Sequence, residues 1–204
     1  MKGLAMIMVC GVALAGGAAP AASDYEGRAY RVLEQQGKLE LREYDASLAV
    51  SVPMENSNGA FRELFRFISG ENEENRKIAM TVPVQQADSA AGWSVAFMLP
   101  SQYTLDDAPV PTDPRVRVRQ VPGRLMAVIR YSGRWTEKNF AAKSEVLRKV
   151  MQEESVAPLG EVHSALYNAP YTPPFMRRNE VMVEANRLPA QAVKRLEEHQ
   201  LASY

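Results

Sequence analysis

The chain has 204 residues, enough for one domain with a substantial core or for two small ones sharing a core. Its 24 basic residues are balanced by 24 acidic ones, so no excess charge favours a polyanion and a nucleic-acid partner is set aside. The one cysteine, Cys10, lies in an apolar leader, so the chain beyond it has no thiolate for a disulfide, a metal or nucleophilic catalysis.

The first residues read as that leader: Lys2, the uncharged run "GLAMIMVCGVALAGGAA", then the small-x-small sequence Ala19-Pro20-Ala21. This layout predicts a signal peptide over 1–21, cleaved to give a periplasmic or secreted protein with a flexible N-terminus over 22–29. A retained transmembrane anchor is the alternative, but the apolar run is short of the roughly 20 residues of a full span and ends in Ala and Gly. Met8 and Val9 before Cys10 lack the small residue expected ahead of a lipidated cysteine.

"KLELREY" alternates Leu39 and Leu41 with charged residues, the period of a strand with one buried face. "SLAVSVPM" follows after Asp45-Ala46 and predicts a second strand joined to the first by a tight turn. Phe61, Leu64, Phe65 and Ile68 then recur at helical spacing, and Gly70 supplies a stop. "ENEENRK" is a polar link, and "KIAMTVPV" and "WSVAFMLP" read as strands separated by the loop "QQADSAAG". "YTLDDAPVPTDPR" reads as a linker between halves.

Beyond it the order of elements repeats. "VRVRQV" and "RLMAVIRYSG" are strand-like. Phe140, Ser144, Leu147 and Met151 share a helical stripe, and "HSALYNAPY" and "NEVMVEA" are strands. Each half is strand, strand, helix, strand, strand, and Met80–Val84 is matched with Tyr167–Tyr171. Two such ββαββ units predict an α+β fold: a distorted antiparallel β-barrel with two helices packed on its outside. Residues 187–204 form a C-terminal tail or short helix beginning near Pro189.

The chemistry-bearing residues are few. His163 and His199 have no acidic partner or Gly-x-Ser-x-Gly turn beside them in sequence. No metal-spaced His motif or phosphate loop occurs, so an enzyme is not predicted. Glu71, Glu73 and Glu74 lack the alternation of a calcium loop and read as a solvated link. His163 is a weak candidate iron ligand, set against the simpler reading of a strand-end histidine.

The segment "YNAPYTPPFMRRNEVMV" is different. Pro170, Pro173 and Pro174 remove backbone donors and stiffen an extended loop. Such a loop can hold Tyr171 and Phe175 out as an apolar wall with Arg177 and Arg178 at its edge. It reads either as a rigid cap on the barrel or as a site for a flat apolar ligand whose carboxylates meet an arginine fork.

"LELREY", "KIAMTVPV" and "YTPPFMRRNEV", in that order along the chain, resemble three motifs of the SOUL haem-binding protein family. The resemblance runs from about Tyr30 to Glu184, within a domain taken as 30–186. It implies a non-covalent site for haem or a related tetrapyrrole in a shallow apolar cleft. The helix side would be Phe61, Leu64, Phe65 and Ile68, and the loop side Tyr171, Phe175, Met176 and Arg177. At the position of a proposed axial histidine in the opening strand this chain has Glu43, so the resemblance implies binding through ring faces and propionates, by a carrier or buffer. The alternative is a small-molecule or protein-binding module similar to the effector-binding domains of bacterial regulators.

Overall fold

Leu39 and Leu41 are buried on one side of their strand, and Arg42 and Tyr44 are buried on the other. A strand covered on both faces belongs to a sheet that curls on itself as well as carrying helices. The computed structural model describes residues 25–54, 57–87 and 92–186. The leader and the C-terminal tail expected over 187–204 lie outside the described residues.

In chain order the elements are β1 (Glu26–Gly27), β2 (Tyr30–Gln36), β3 (Leu39–Tyr44), β4 (Ser47–Pro53), α1 (Ser57–Ile68), β5 (Thr81–Val82), β6 (Val84–Ala87) and β7 (Ser94–Met98). Then come β8 (Arg117–Val121), β9 (Arg124–Tyr131), α2 (Glu137–Glu153), β10 (Pro158–Leu166) and β11 (Asn179–Ala185). Nine strands form one antiparallel sheet in the order β2-β3-β9-β11-β10-β6-β7-β4-β8, and β1 pairs with β5 alone. The edges β2 and β8 do not pair with each other, so the barrel is distorted and open along one side.

About the β10–β6 seam the order is two-fold symmetric: β10 corresponds to β6, β11 to β7, β9 to β4 and β3 to β8. Each half therefore gives its first strand to the other. β3 pairs with β9, and β8 with β4. This corrects the expected tight turn at Asp45-Ala46, because β3 and β4 are consecutive in sequence but lie far apart in the sheet. The hairpin that does form joins β2 to β3 through Gly37 at φ +57°. It also corrects the matching of Met80–Val84 with Tyr167–Tyr171. The first leads into β6, whereas the second follows β10, so they stand at opposite ends of equivalent strands.

Three boundaries differ from expectation. "KIAMTVPV" is not one strand, because Pro83 has no N–H to give a ladder and separates β5 from β6. Gln85–Ala87, expected in a loop, belong to β6. Within the segment expected as a flexible N-terminus, 22–29, Glu26 and Gly27 pair with Thr81 and Val82. The Pro- and Asp-rich linker is tied to the first half: Asn72 bridges Pro111, and the Val110 N–H donates to Glu74 at 3.0 Å.

Both helices pack on the same face of the sheet, α2 through its predicted stripe and α1 through only Leu64 and Ile68 of its own. In α1, Ala60, Leu64, Phe67 and Ile68 pack on Val50, Val52 and Phe97, and Gly70 follows at φ +111°. In α2, Leu147 and Met151 pack on Leu39, Leu41, Ile129 and Val181. The Thr136 hydroxyl caps α2 by accepting the Asn139 N–H at 3.1 Å. Thr136→Ala should cost about 1 kcal/mol, read as a lower midpoint in urea unfolding with an unchanged slope.

Candidate functional site

Helical spacing alone puts Phe61, Leu64, Phe65 and Ile68 on one face, but the structure divides them. Leu64 is fully buried and Ile68 nearly so, and with Phe67 they seat α1 on the sheet. Phe61 and Phe65 lie further round the helix, 38% and 50% exposed. Their rings stack at 6.2 Å with an interplanar angle of 12°, and the Phe61 ring stands edge-on to Phe97 at 5.2 Å. Of the expected helix residues, two present aromatic surface and two hold that surface in place. Phe67 was missed because the spacing was counted from Phe61. Counted from Ala60, the same spacing passes through Glu63 but also gives Leu64 and Phe67, with Ile68 one position further on.

Helix α1 packs on β4 and β7, and α2 on β9, β10 and β11, which leaves β6 between them. Leu166 pairs with Val84 and Val84 with Phe97, so one register line runs from the root of the Pro-rich loop to the ring under Phe61. Two strand spacings make that line about 10 Å wide. Ser164 and Gln86 are also paired, one pleat along. Gln86 Oε1 and Trp135 Nε1 are buried without a hydrogen-bond partner among the described residues. Trp93 packs edge-on against Trp135 at 6.4 Å and Phe140 at 5.6 Å, joining the first half to the start of α2.

The Pro-rich segment departs from the extended shape expected of it. Pro174–Met176 make a 3-10 turn, the Thr172 N–H donates to Ala169 O at 3.0 Å, and the Gly133 N–H donates to Pro174 O at 2.9 Å. The turn still holds its apolar side chains out: Tyr171 is 89% exposed, Phe175 79% and Met176 64%. The expected arginine fork is corrected. Arg177 Nε donates to Thr172 O at 2.7 Å and its Nη2 to Pro170 O, so much of this guanidinium braces the loop from within. Arg178 is buried and turned away.

Arg178 belongs to a network with no sequence signature. Glu180, fully buried, accepts from Arg178 Nη2 at 2.7 Å, from Arg42 Nη1 at 2.8 Å and from the Tyr167 hydroxyl at 2.9 Å. Burial by itself would push the Glu180 carboxyl up, but the charge and hydrogen bonds of Arg42, then those of Arg178, hold it below the usual carboxylate range. Burial pushes the neighbouring Tyr44 phenol up to about 12, against the opposing pull of Arg42. The Arg178 guanidinium sits 3.9 Å from the centre of the Tyr167 ring, and the Tyr167 N–H donates to Arg178 O at 3.2 Å. Asn168 accepts the Arg178 N–H at 2.6 Å. Both roots of the Pro-rich loop are thereby fastened to one buried carboxylate.

His163 is inside β10 rather than ahead of it, between Ala87 and Met182. Its neighbour Ser164 faces the helix side with Val181 and Ile129, so alternation puts the imidazole on the other face. Burial, then Arg119 and Arg124, pull its pKa down. Glu43 is ion-paired with Arg31 at 2.5 Å, and β9, β11 and β10 lie between its strand and β6. Among the described residues no group of three or more His, Cys, Asp or Glu side chains is placed to hold a metal ion, and no helix is long and apolar enough to cross a membrane.

A family model described as SOUL heme-binding protein matches residues 25–184. The chain is similar to heme-binding protein 1 of Mus musculus, 24% identical over 129 residues that cover 60% of this chain and 67% of the mouse protein. It is 26% identical to heme-binding protein 1 of Xenopus tropicalis over 170 residues, 76% of this chain and 88% of the frog protein. The alignments thus span about two thirds of the mouse and bovine proteins and more of the frog one. Among solved structures, the EcmrR C-terminal domain superposes with a TM-score of 0.52 at 10% identity, covering 74% of this chain and 98% of that one. A hydrolase encoded by lin2189 from Listeria innocua gives 0.52 at 12% identity, covering 73% and 92%. Likenesses at that identity speak to the shared fold alone.

Proposed function

We propose that this chain, which belongs to the SOUL heme-binding protein family, binds haem or a related tetrapyrrole non-covalently in the trough between α1 and the Pro-rich loop. The observation that carries this is the set of large apolar side chains left uncovered, Phe61 and Phe65 on α1 and Tyr171, Phe175 and Met176 in the Pro-rich loop. Exposed aromatics clustered on fixed backbone mark a surface that is covered in use. A flat macrocycle would bury its faces against these rings, with Leu64 and Ile68 supporting from beneath. Arg177 offers a propionate only the N–H groups that its own loop does not engage.

Neither Glu43 nor His163 supports an axial ligand, the first because it is ion-paired and several strands away, the second because it faces away from the helices. The affinity would rest on buried area, worth about 25 cal/mol per Å² before association costs. Absorbance titrations should therefore give haem and iron-free protoporphyrin affinities within about threefold of each other. A preference for haem of a hundredfold would put iron coordination in place of ring burial, and no saturable change with either would remove the reading. The role is carriage or buffering rather than turnover.

The setting that fits the leader is the periplasm or the exterior. Protein purified from its native host should begin at Ala22 and bring a tetrapyrrole with it. An intact leader on a cytoplasmic protein would overturn export without touching the ligand.

A further inference from the structure

Tyr171, Phe175 and Met176 are the most exposed large apolar side chains among the described residues, and they stand on a backbone that is already fixed. Pro173 and Pro174 restrict it, the Gly133 N–H donates to Pro174 O at 2.9 Å, and Asn179 Nδ2 donates to Gly133 O at 2.9 Å. Covering this tip therefore orders little further chain.

The two Gly133 hydrogen bonds join the loop to the turn after β9, and the charge of the joined pair is one-sided. Neither 124–136 nor 162–179 contains an Asp or a Glu. Arg134 follows Gly133 and Arg177 follows Met176, and with Arg130 they have no carboxylate within ion-pair distance among the described residues. Arg130 and Arg134 are exposed. The carbonyls that Arg177 engages orient its guanidinium without neutralising it. The carboxylates next along the chain are Glu137, which opens α2, and Glu180, which is buried and answered by Arg42 and Arg178.

We propose that this end of the fold docks peripherally on an anionic phospholipid surface. Tyr171, Phe175 and Met176 enter the zone between headgroups and acyl chains, and Arg134 and Arg177 meet lipid phosphates. Interfacial binding adds buried apolar area to attraction for anionic lipid, and the loop and its clamped turn supply both. A protein partner would need a carboxylate placed against each guanidinium, whereas an anionic bilayer meets them wherever they lie. The proposal concerns these rings before any ligand covers them and does not rest on the tetrapyrrole reading.

Co-sedimentation of the protein purified from its native host, with no tetrapyrrole added, tests it on vesicles of phosphatidylcholine alone and of phosphatidylcholine with one third phosphatidylglycerol. Partitioning should be at least tenfold stronger onto the anionic vesicles and should weaken as salt is raised. Phe175→Ser should weaken it about tenfold through lost apolar area, and Arg134→Gln about fivefold, the effect of one basic residue at such a surface. Both positions are exposed, so each variant should keep the parent's unfolding midpoint. Arg134→Gln should also leave the haem titration within twofold of the parent, which separates the two readings. No partitioning, equal partitioning onto both vesicles, or unchanged partitioning of Phe175→Ser and Arg134→Gln would each overturn the proposal. So would binding to native-host membranes that is lost once their proteins are digested, since a protein receptor would then take the place of lipid.

Discussion

Glu180→Gln is expected to lower stability by about 3–5 kcal/mol, the usual cost of removing one partner from a buried ion pair. The side chain is fully buried between Arg42 and Arg178, themselves 2% and 8% exposed. Glutamine matches the shape and leaves two buried cations without their shared counter-charge. The carboxyl titrates below its ordinary value in the folded protein. Its contribution is therefore complete above the unfolded value of about 4.3 and is lost as pH falls through the lower folded value. Urea unfolding should show the parent losing stability as pH falls below about 4.3 and the variant losing less. Replacing Arg42 and Arg178 by Met and Glu180 by Leu together should recover most of the loss, because the desolvation of three charges is removed along with their attraction. A cost below about 1 kcal/mol for the single variant would mean that water reaches the arginines and that the network is not what fastens the loop.

The network marks where sequence reading stops. Periodicity locates the strands, because Leu39 and Leu41 or Leu147 and Met151 need only their own neighbours to declare a buried face. It cannot show that Arg42 and Glu180, 138 positions apart, meet inside the sheet. In "LREY" and "RRNEV" they look like solvated charges. The exchange of first strands is hidden for the same reason. Each ββαββ half reads as self-contained, and only the register of β3 on β9 and β8 on β4 shows that neither half has a complete sheet alone. In the Pro-rich loop, composition was enough to single out Tyr171 and Phe175, whereas Met176 came only with the family resemblance. Helical spacing was not enough to separate Phe61 and Phe65 from Leu64 and Ile68, because a stripe has a width and only packing fixes its centre.

That separation sets the second large effect. Phe65→Ala and Phe175→Ala should each weaken haem binding about tenfold, and together by on the order of a hundredfold, with folding stability within about 0.5 kcal/mol of the parent. An aromatic side chain buries about 150–250 Å² when fully covered, and Phe65 is half exposed before any ligand arrives. Covering the rest is worth at most about 3 kcal/mol at 25 cal/mol per Å², and the costs of association reduce that to the tenfold expected. Phe65 is on α1 and Phe175 in the loop before β11. Their effects should add if one ligand touches both walls, and the weaker binder of the pair should set the limit if each wall holds a separate molecule. Leu64→Ala makes the contrast: buried beneath the wall, it should lose stability first and affinity only through the helix it loosens. If haem binds Phe65→Ala, Phe175→Ala and the double variant as it binds the parent, the exposed rings serve some other contact and the trough is not the tetrapyrrole site.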